Sequence, residues 1–207
     1  TTASVVTQET LAKDIVSHSQ YDGFGRQTKE YLPYATLTNQ GAIKTDAEQQ
    51  TRSFYQERYA DDFVGITDIE NINAYSEKQF DNSPLNRIQK QAAPGKDWQL
   101  GGGHEIKFTY DTNEAQEVRL YSAPTTFSNN INMYIPSLKD GNTYYEEGQL
   151  QKTITKDENW QASDGKNHTT EEFKNKQGQV VLKRTYNSNQ MHDTYYVYDK
   201  FGNLTYV

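Results

Sequence analysis

Asp22-Gly23-Phe24-Gly25, Asn175-Lys176-Gln177-Gly178 and Asp199-Lys200-Phe201-Gly202 write one turn three times, each between strand-forming flanks. An Asp or Asn at the first position accepts hydrogen bonds from backbone two residues on, and a Gly at the fourth takes the left-handed conformation that sterics deny most side chains. The device this predicts is a type I hairpin turn closed by a glycine bulge. A Tyr stands directly before two of the turns, Tyr21 and Tyr198, and Arg26 directly follows the first. The expected structural turn positions are therefore Tyr21, Asp22, Gly25, Arg26, Asn175, Gly178, Tyr198, Asp199 and Gly202.

Working outward, Ser4-Val5-Val6-Thr7 and Asp14-Ile15-Val16-Ser17 read as strands leading into the first turn, and Gln27 to Tyr31 continues extended until Pro33 stops the ladder. Thr45-Asp46-Ala47-Glu48 has the form of a capping box, with Thr45 as cap and Glu48 reaching back, and predicts a short helix near 46–59. Residues 60–104 read as loops, with a short helical turn at Ser76 to Phe80. The tract Gly101-Gly102-Gly103 lacks the strand before it and the helix after it that a phosphate loop needs, since His104 to Phe108 begins a strand.

From 104 the period is close to two. Phe108 and Tyr110 alternate with polar residues, as do Val118 and Leu120, which predicts an antiparallel pair about a turn near Thr112–Glu114. Further strands are expected at 149–155, 169–173, 180–186, 194–198 and 203–207, separated by turn-formers at Asp140-Gly141, Asp164-Gly165 and Asn187-Ser188-Asn189. The fold expected is mainly β, an antiparallel meander of hairpins with one short helix. Two regions are expected: 1–103, with the first hairpin, the helix and loops, and 104–207, the meander. Gly178 and Gly202 lie one strand-turn-strand unit apart, the mark of an array whose members cover one another. A strand ending at Val207 would leave an unpaired edge, so the polypeptide is expected to run on.

Composition narrows the function. Of 207 residues, 33% are hydrophobic and 16 are Tyr, which suits pleated surfaces whose aromatic bodies pack while their hydroxyls stay wet. Mean hydropathy is -1.00, but 13% aromatic residues and frequent β runs argue for a folded chain. A net charge of -7 without any basic run argues against nucleic acid as a partner. The chain has no Cys, so disulfides and thiolate metal sites are excluded. No apolar run is long enough for a transmembrane helix, and residues 1–20 lack the features of a signal peptide, which is expected upstream if the protein is exported.

No catalytic, cofactor-binding or metal-ligating residues are assigned. Asp157-Glu158 and Glu146-Glu147 are adjacent carboxylates, but strand neighbours point to opposite faces, so solvated turn acids are expected. His18, His104, His168 and His192 are scattered without a second ligand at metal spacing, and no Ser sits in a nucleophile elbow. Trp98 and Trp160 are candidates for glycan stacking, weighed against roles as cross-strand packing partners.

The turn residues carry a resemblance. Tyr21-Asp22-Gly23-Phe24-Gly25-Arg26, Tyr198-Asp199-Lys200-Phe201-Gly202-Asn203-Leu204 and the degenerate Phe173 to Val180 resemble the Tyr-Asp-x-x-Gly-Arg-Leu motif of the Rhs, or YD-repeat, family. Phe80-Asp81 to Arg87 is a fainter echo, with Arg87 and Pro94 spaced as Arg26 and Pro33 are. The phrases Gly25 to Tyr34, Ser83 to Arg87, Ala93 to Trp98 and Thr155 to Trp160 are similar to the domain that precedes the repeats in large secreted Bacteroidota proteins. The resemblance implies a non-enzymatic segment of a secreted or cell-surface protein, exported by the type IX pathway. That segment would form part of a β-sheet shell enclosing or presenting a variable, toxin-like C-terminal domain. Its implied partners are the rest of the same polypeptide (further YD repeats and the C-terminal effector domain), with the secretion machinery or a cell-surface glycan beyond it; no cofactor is implied. The rival reading is a carbohydrate-binding or adhesive surface module.

Overall fold

In a computed structural model the protein is mainly β, with antiparallel sheets, one α-helix and no sheet closed into a barrel among the described residues. These are residues 2–8, 11–37 and 41–207, with side chains described for 14–37, 41–139 and 141–207. The chain forms two compact units, Thr1–Lys107 and Phe108–Val207.

In the first unit, β1 (Thr2–Gln8), β2 (Leu11–Ser17) and β5 (Tyr34–Thr36) form a three-stranded sheet in the order β1-β2-β5. A second antiparallel run comprises β3 (Ser19–Tyr21), β4 (Gln27–Tyr31), β6 (Tyr75–Phe80) and β7 (Ile88–Ala92). The strand β8 (Ile106–Thr112) crosses the division between the units, and its Ile106 and Lys107 pair with Gln91 and Lys90 of β7.

The helix α1 is Ala47–Arg58. It buries Ala47, Thr51 and Arg52 along one stripe, and Ala47 joins Val16, Tyr34 and Phe54 in a small core. Its cap differs from the sequence reading. Asp46 is the N-cap, no side chain caps the first turn, and Glu48 turns inward to other partners. Ser76 to Phe80 is likewise strand rather than helical turn, because β4 and β7 supply ladders on both sides of it.

The second unit contains β9 (Arg119–Ser122), β10 (Thr125–Ser128), β11 (Met133–Pro136) and β12 (Lys139–Tyr144). These are followed by β13 (Gln151–Lys156), β14 (Thr169–Lys174), β15 (Val180–Asn187), β16 (Gln190–Tyr195), β17 (Val197–Tyr198) and β18 (Leu204–Tyr206). β13 to β16 are a sequential meander, as alternation predicts. Its covered face carries Phe173 and Leu182, which pack with Val118, Leu150 and Val181.

Two expectations fail here. β9 pairs with β12, so Val118 and Leu120 do not fold back on Phe108 and Tyr110. Asp140-Gly141 lies inside β12 at a register shift, and a Cβ on Gly141 would fall 2.8 Å from the Tyr121 ring. The glycine is there to admit a ring against backbone, as strand glycines often are.

Candidate functional site

The three turns have one hydrogen-bond diagram. Gly25 N donates to Asp22 O (3.0 Å), Gly178 N to Asn175 O (2.9 Å) and Gly202 N to Asp199 O (3.0 Å). One side-chain oxygen of the opening residue then accepts twice: Asp22 Oδ1 from Phe24 N and Arg26 N, Asn175 Oδ1 from Gln177 N and Gln179 N, Asp199 Oδ1 from Phe201 N and Asn203 N. The closing glycines have φ of 76°, 79° and 87°. Each ladder slips at the turn, with Tyr21 opposite Gln27, Lys174 opposite Val180 and Tyr198 opposite Leu204. That slip is the glycine bulge.

The residue after the glycine completes a clasp. Arg26 Nε donates to Asp22 Oδ2 (2.6 Å) and Asn203 Nδ2 to Asp199 Oδ2 (3.1 Å). The longer turn from Asp81 to Arg87 uses the same contacts: Asp81 Oδ1 accepts from Ser83 N and Arg87 N, while Arg87 Nε donates to Asp81 Oδ2 at 2.9 Å. Burial acts to raise the Asp22 and Asp199 pKa values, but the donors around each carboxylate outweigh it and hold both below the ordinary 3.8. Asp81 is also lowered, chiefly by the Ser83 hydroxyl.

Clasps also reach from one turn to the next. Arg26 Nη1 donates to Asp81 O (3.0 Å) in the first unit, and Gln179 Nε2 to Gly202 O (3.3 Å) in the second. Tyr198 donates its hydroxyl to Val180 O (3.0 Å), whereas Tyr21, its sequence counterpart, is 63% exposed.

Each unit hides a charged cluster. In the second, Glu171, Arg184 and Asp193 face one another across β14, β15 and β16. Arg184 holds Asp193 through Nε (2.7 Å) and Nη2 (3.0 Å), and lies 3.6 Å from Glu171. Lys152 Nζ sits 2.6 Å from Glu117 and 3.6 Å from Glu171. In the first unit Glu48 accepts from Tyr31 Oη (2.6 Å), Arg52 Nη2 (2.8 Å) and Gln20 Nε2 (2.8 Å). Arg52 also donates to the carbonyls of Glu70 and Ile72.

His18 stacks on Tyr31 at 4.0 Å. Burial, working against the attraction of Glu48, lowers the His18 pKa, and burial followed by donation to Glu48 raises that of Tyr31. Both ring nitrogens of His18, Arg52 Nε and Glu171 Oε2 are buried without a hydrogen-bond partner, and no cleft described here takes in either cluster.

The two tryptophans part company. Trp160 closes its own turn by donating Nε1 to Gly165 O (3.1 Å), and Lys156 Nζ stands 3.6 Å over its ring. Trp98 instead lines an open cleft of about 560 Å³ with Tyr55, Tyr59, Phe63, Val64, Asp61, Asp62 and Asp97. Buried Asn73 presents it: Asn73 O accepts from Gly95 N (2.9 Å), and Asn73 Nδ2 donates to Ala93 O (3.3 Å) and Gly95 O (3.1 Å). Gly95, at φ 103°, then starts the 3-10 turn Lys96–Trp98.

Of the paired acids, Asp157 accepts from Asn159 N (2.9 Å) and meets His168 Nδ1 at 3.2 Å. That pair lines a polar hollow with Asp164, Asn167 and several threonines. Among the described residues no group of three or more His, Cys, Asp or Glu is placed to hold a metal ion, and no helix is long and apolar enough to cross a membrane.

Sequence reasoning missed the cluster at Arg184 and the cleft at Trp98. The first had a signal, since alternation places Glu171 on the side of Phe173 and Arg184 on that of Leu182.

No curated protein matches the chain. Residues 1–112 match a family described as a domain of unknown function, DUF6443, and the Trp98 cleft lies wholly inside that stretch. The match takes in more than half of the 207 residues, and the chain belongs to the DUF6443 family.

Proposed function

We propose that the chain is a non-enzymatic structural segment of a large secreted Rhs/YD-repeat protein of the Bacteroidota, exported by the type IX pathway. In this reading it forms part of a β-sheet wall that encloses or presents a variable, toxin-like C-terminal domain. The observation that supports it is the turn whose opening side-chain oxygen accepts the same two backbone bonds at Asp22, Asn175 and Asp199, tied in each unit to a neighbouring turn by Arg26 or Gln179. Such ties make each hairpin depend on the next, which is how an array of hairpins holds together when a single hairpin is too small to bury a core by itself.

The buried ion pairs fit the same role, because side chains that neutralise one another serve packing rather than proton transfer. Mass spectrometry of the native secreted protein tests the reading. A much longer chain is expected, with further YD units and an end that varies between strains. A mature secreted product consisting of these 207 residues alone would overturn it.

A further inference from the structure

Going beyond the scaffolding role, we propose that the cleft between the C-terminal end of α1 and the Pro94–Trp98 turn binds a neutral oligosaccharide, seated on Trp98 and Tyr59 and held by Asp61, Asp62 and Asp97. One wall is Tyr55, Tyr59, Asp61, Asp62 and Val64; the other is Pro94 to Trp98. Lys96 Nζ donates to Val64 O (2.7 Å) and so ties the walls together. Trp98 is 40% exposed and Tyr59 48%, large aromatic surface left open within a built cleft. Tyr59 is set by its stack on Tyr55 (5.1 Å), whose hydroxyl donates to Pro33 O (2.8 Å). Trp98 is braced by His104 at 4.9 Å.

The ligand class follows from the lining. A pyranose presents a flat C–H face, which an aromatic ring covers, and a rim of hydroxyl donors, which carboxylates accept. Among the described residues Asp61, Asp62 and Asp97 carry no ion pair, so their oxygens are open to such donors. The cleft's ammonium is engaged by Val64 and its rim is acidic, which disfavours uronic or sulfated sugars. The volume falls within the roughly 300–1,000 Å³ of clefts that take small ligands.

The test is binding of the whole chain to immobilised hexasaccharides of β-1,4-glucose, β-1,4-N-acetylglucosamine, β-1,4-xylose and α-mannose. Polygalacturonate and a trimethyl-lysine peptide serve as acidic and cationic comparisons. Tryptophan fluorescence in a Trp160→Phe background follows Trp98 directly.

At least one neutral glycan is expected to bind and to shift that fluorescence. Affinity should fall about tenfold or more in Trp98→Ala and in Asp62→Asn, whose surface position spares the fold, and stay unchanged in Trp160→Phe. A blank neutral panel, neutral binding that survives Trp98→Ala and Asp62→Asn, or binding confined to polygalacturonate or the cationic peptide would each overturn the proposal. None of these outcomes touches the scaffolding role, which is tested on the native chain.

Discussion

Asn175 Nδ2 donates to Gln179 Oε1 at 2.8 Å, so this clasp runs opposite to the one in which Arg26 Nε donates to Asp22 Oδ2 at 2.6 Å. The reversal is forced. Asn175 Oδ1 already accepts from Gln177 N and Gln179 N, which leaves only the amide nitrogen facing outward, and its partner must be an acceptor. Asp22 and Asp199 offer a second oxygen instead and take donors, Arg26 and Asn203. Asp22→Asn is therefore expected to set an amide donor against the Arg26 Nε donor and to lower the midpoint of urea unfolding, since neither of these two donors then has its acceptor.

The same chemistry sorts the turns by pH. Asp22, Asp81 and Asp199 have folded pKa values below the ordinary 3.8. A depressed folded value means that their contribution is complete above the unfolded value and is lost as pH falls through the folded one. Asn175 has no such transition. Amide exchange followed by NMR from pH 5 to pH 2 should show Phe24 N, Arg26 N, Phe201 N and Asn203 N losing protection while Gln177 N and Gln179 N keep theirs. Simultaneous loss at all three turns would contradict this.

Glycine substitutions should separate strain from collision. Gly25→Ala meets open space at φ 76°, so its cost is conformational alone, about 1–2 kcal/mol by thermal unfolding. Gly102→Ala would place a Cβ 2.7 Å from Asp97 O, backbone of the turn that carries Trp98. Gly102→Ala is expected to shift the emission of Trp98 in a Trp160→Phe background, and Gly25→Ala to leave it unchanged.

Removing one partner from a buried ion network leaves the others uncompensated. Arg184→Met strips Asp193 of two donors and Glu171 of a neighbouring cation, so the expected loss is about 3–5 kcal/mol in denaturant unfolding. Lys174→Met, whose half-exposed ammonium meets Glu172 at 2.7 Å, should cost under about 1 kcal/mol.

Tyr31→Phe removes the hydroxyl that donates to Glu48 while keeping the ring that stacks on His18. A hydrogen bond to a charged acceptor is worth about 1.5–3 kcal/mol, and differential scanning calorimetry should register a loss of that size.

What could be read from sequence was what is decided within five residues. Asp22, Asn175 and Asp199 announce their turns because every contact that makes them lies between the opening residue and the one after the glycine. Ser76-Glu77-Lys78-Gln79 misleads because helix formers fill a strand whose conformation comes from distant β4 and β7. Glu48 misleads in the same way, since Tyr31 and Arg52 compete for the carboxylate that would have capped α1. β9 passes over its neighbour to pair with β12, a choice that no local pattern records. The Trp98 cleft was half legible: the residue drew notice, but the wall formed by Tyr59 and Asp62 arrives from far along the chain.

The row Glu171, Arg184, Asp193 alternates in sign across three adjacent strands. A sheet sealed by hydrocarbon alone tolerates sliding by two residues, because one apolar side chain replaces another on the same face. Here a slide of β15 by two would carry Arg184 away from both acids and leave its buried guanidinium without Asp193 and Glu171. Misalignment is thereby penalised at the centre of the meander, and neighbouring ribbons inherit a single correct phase from it.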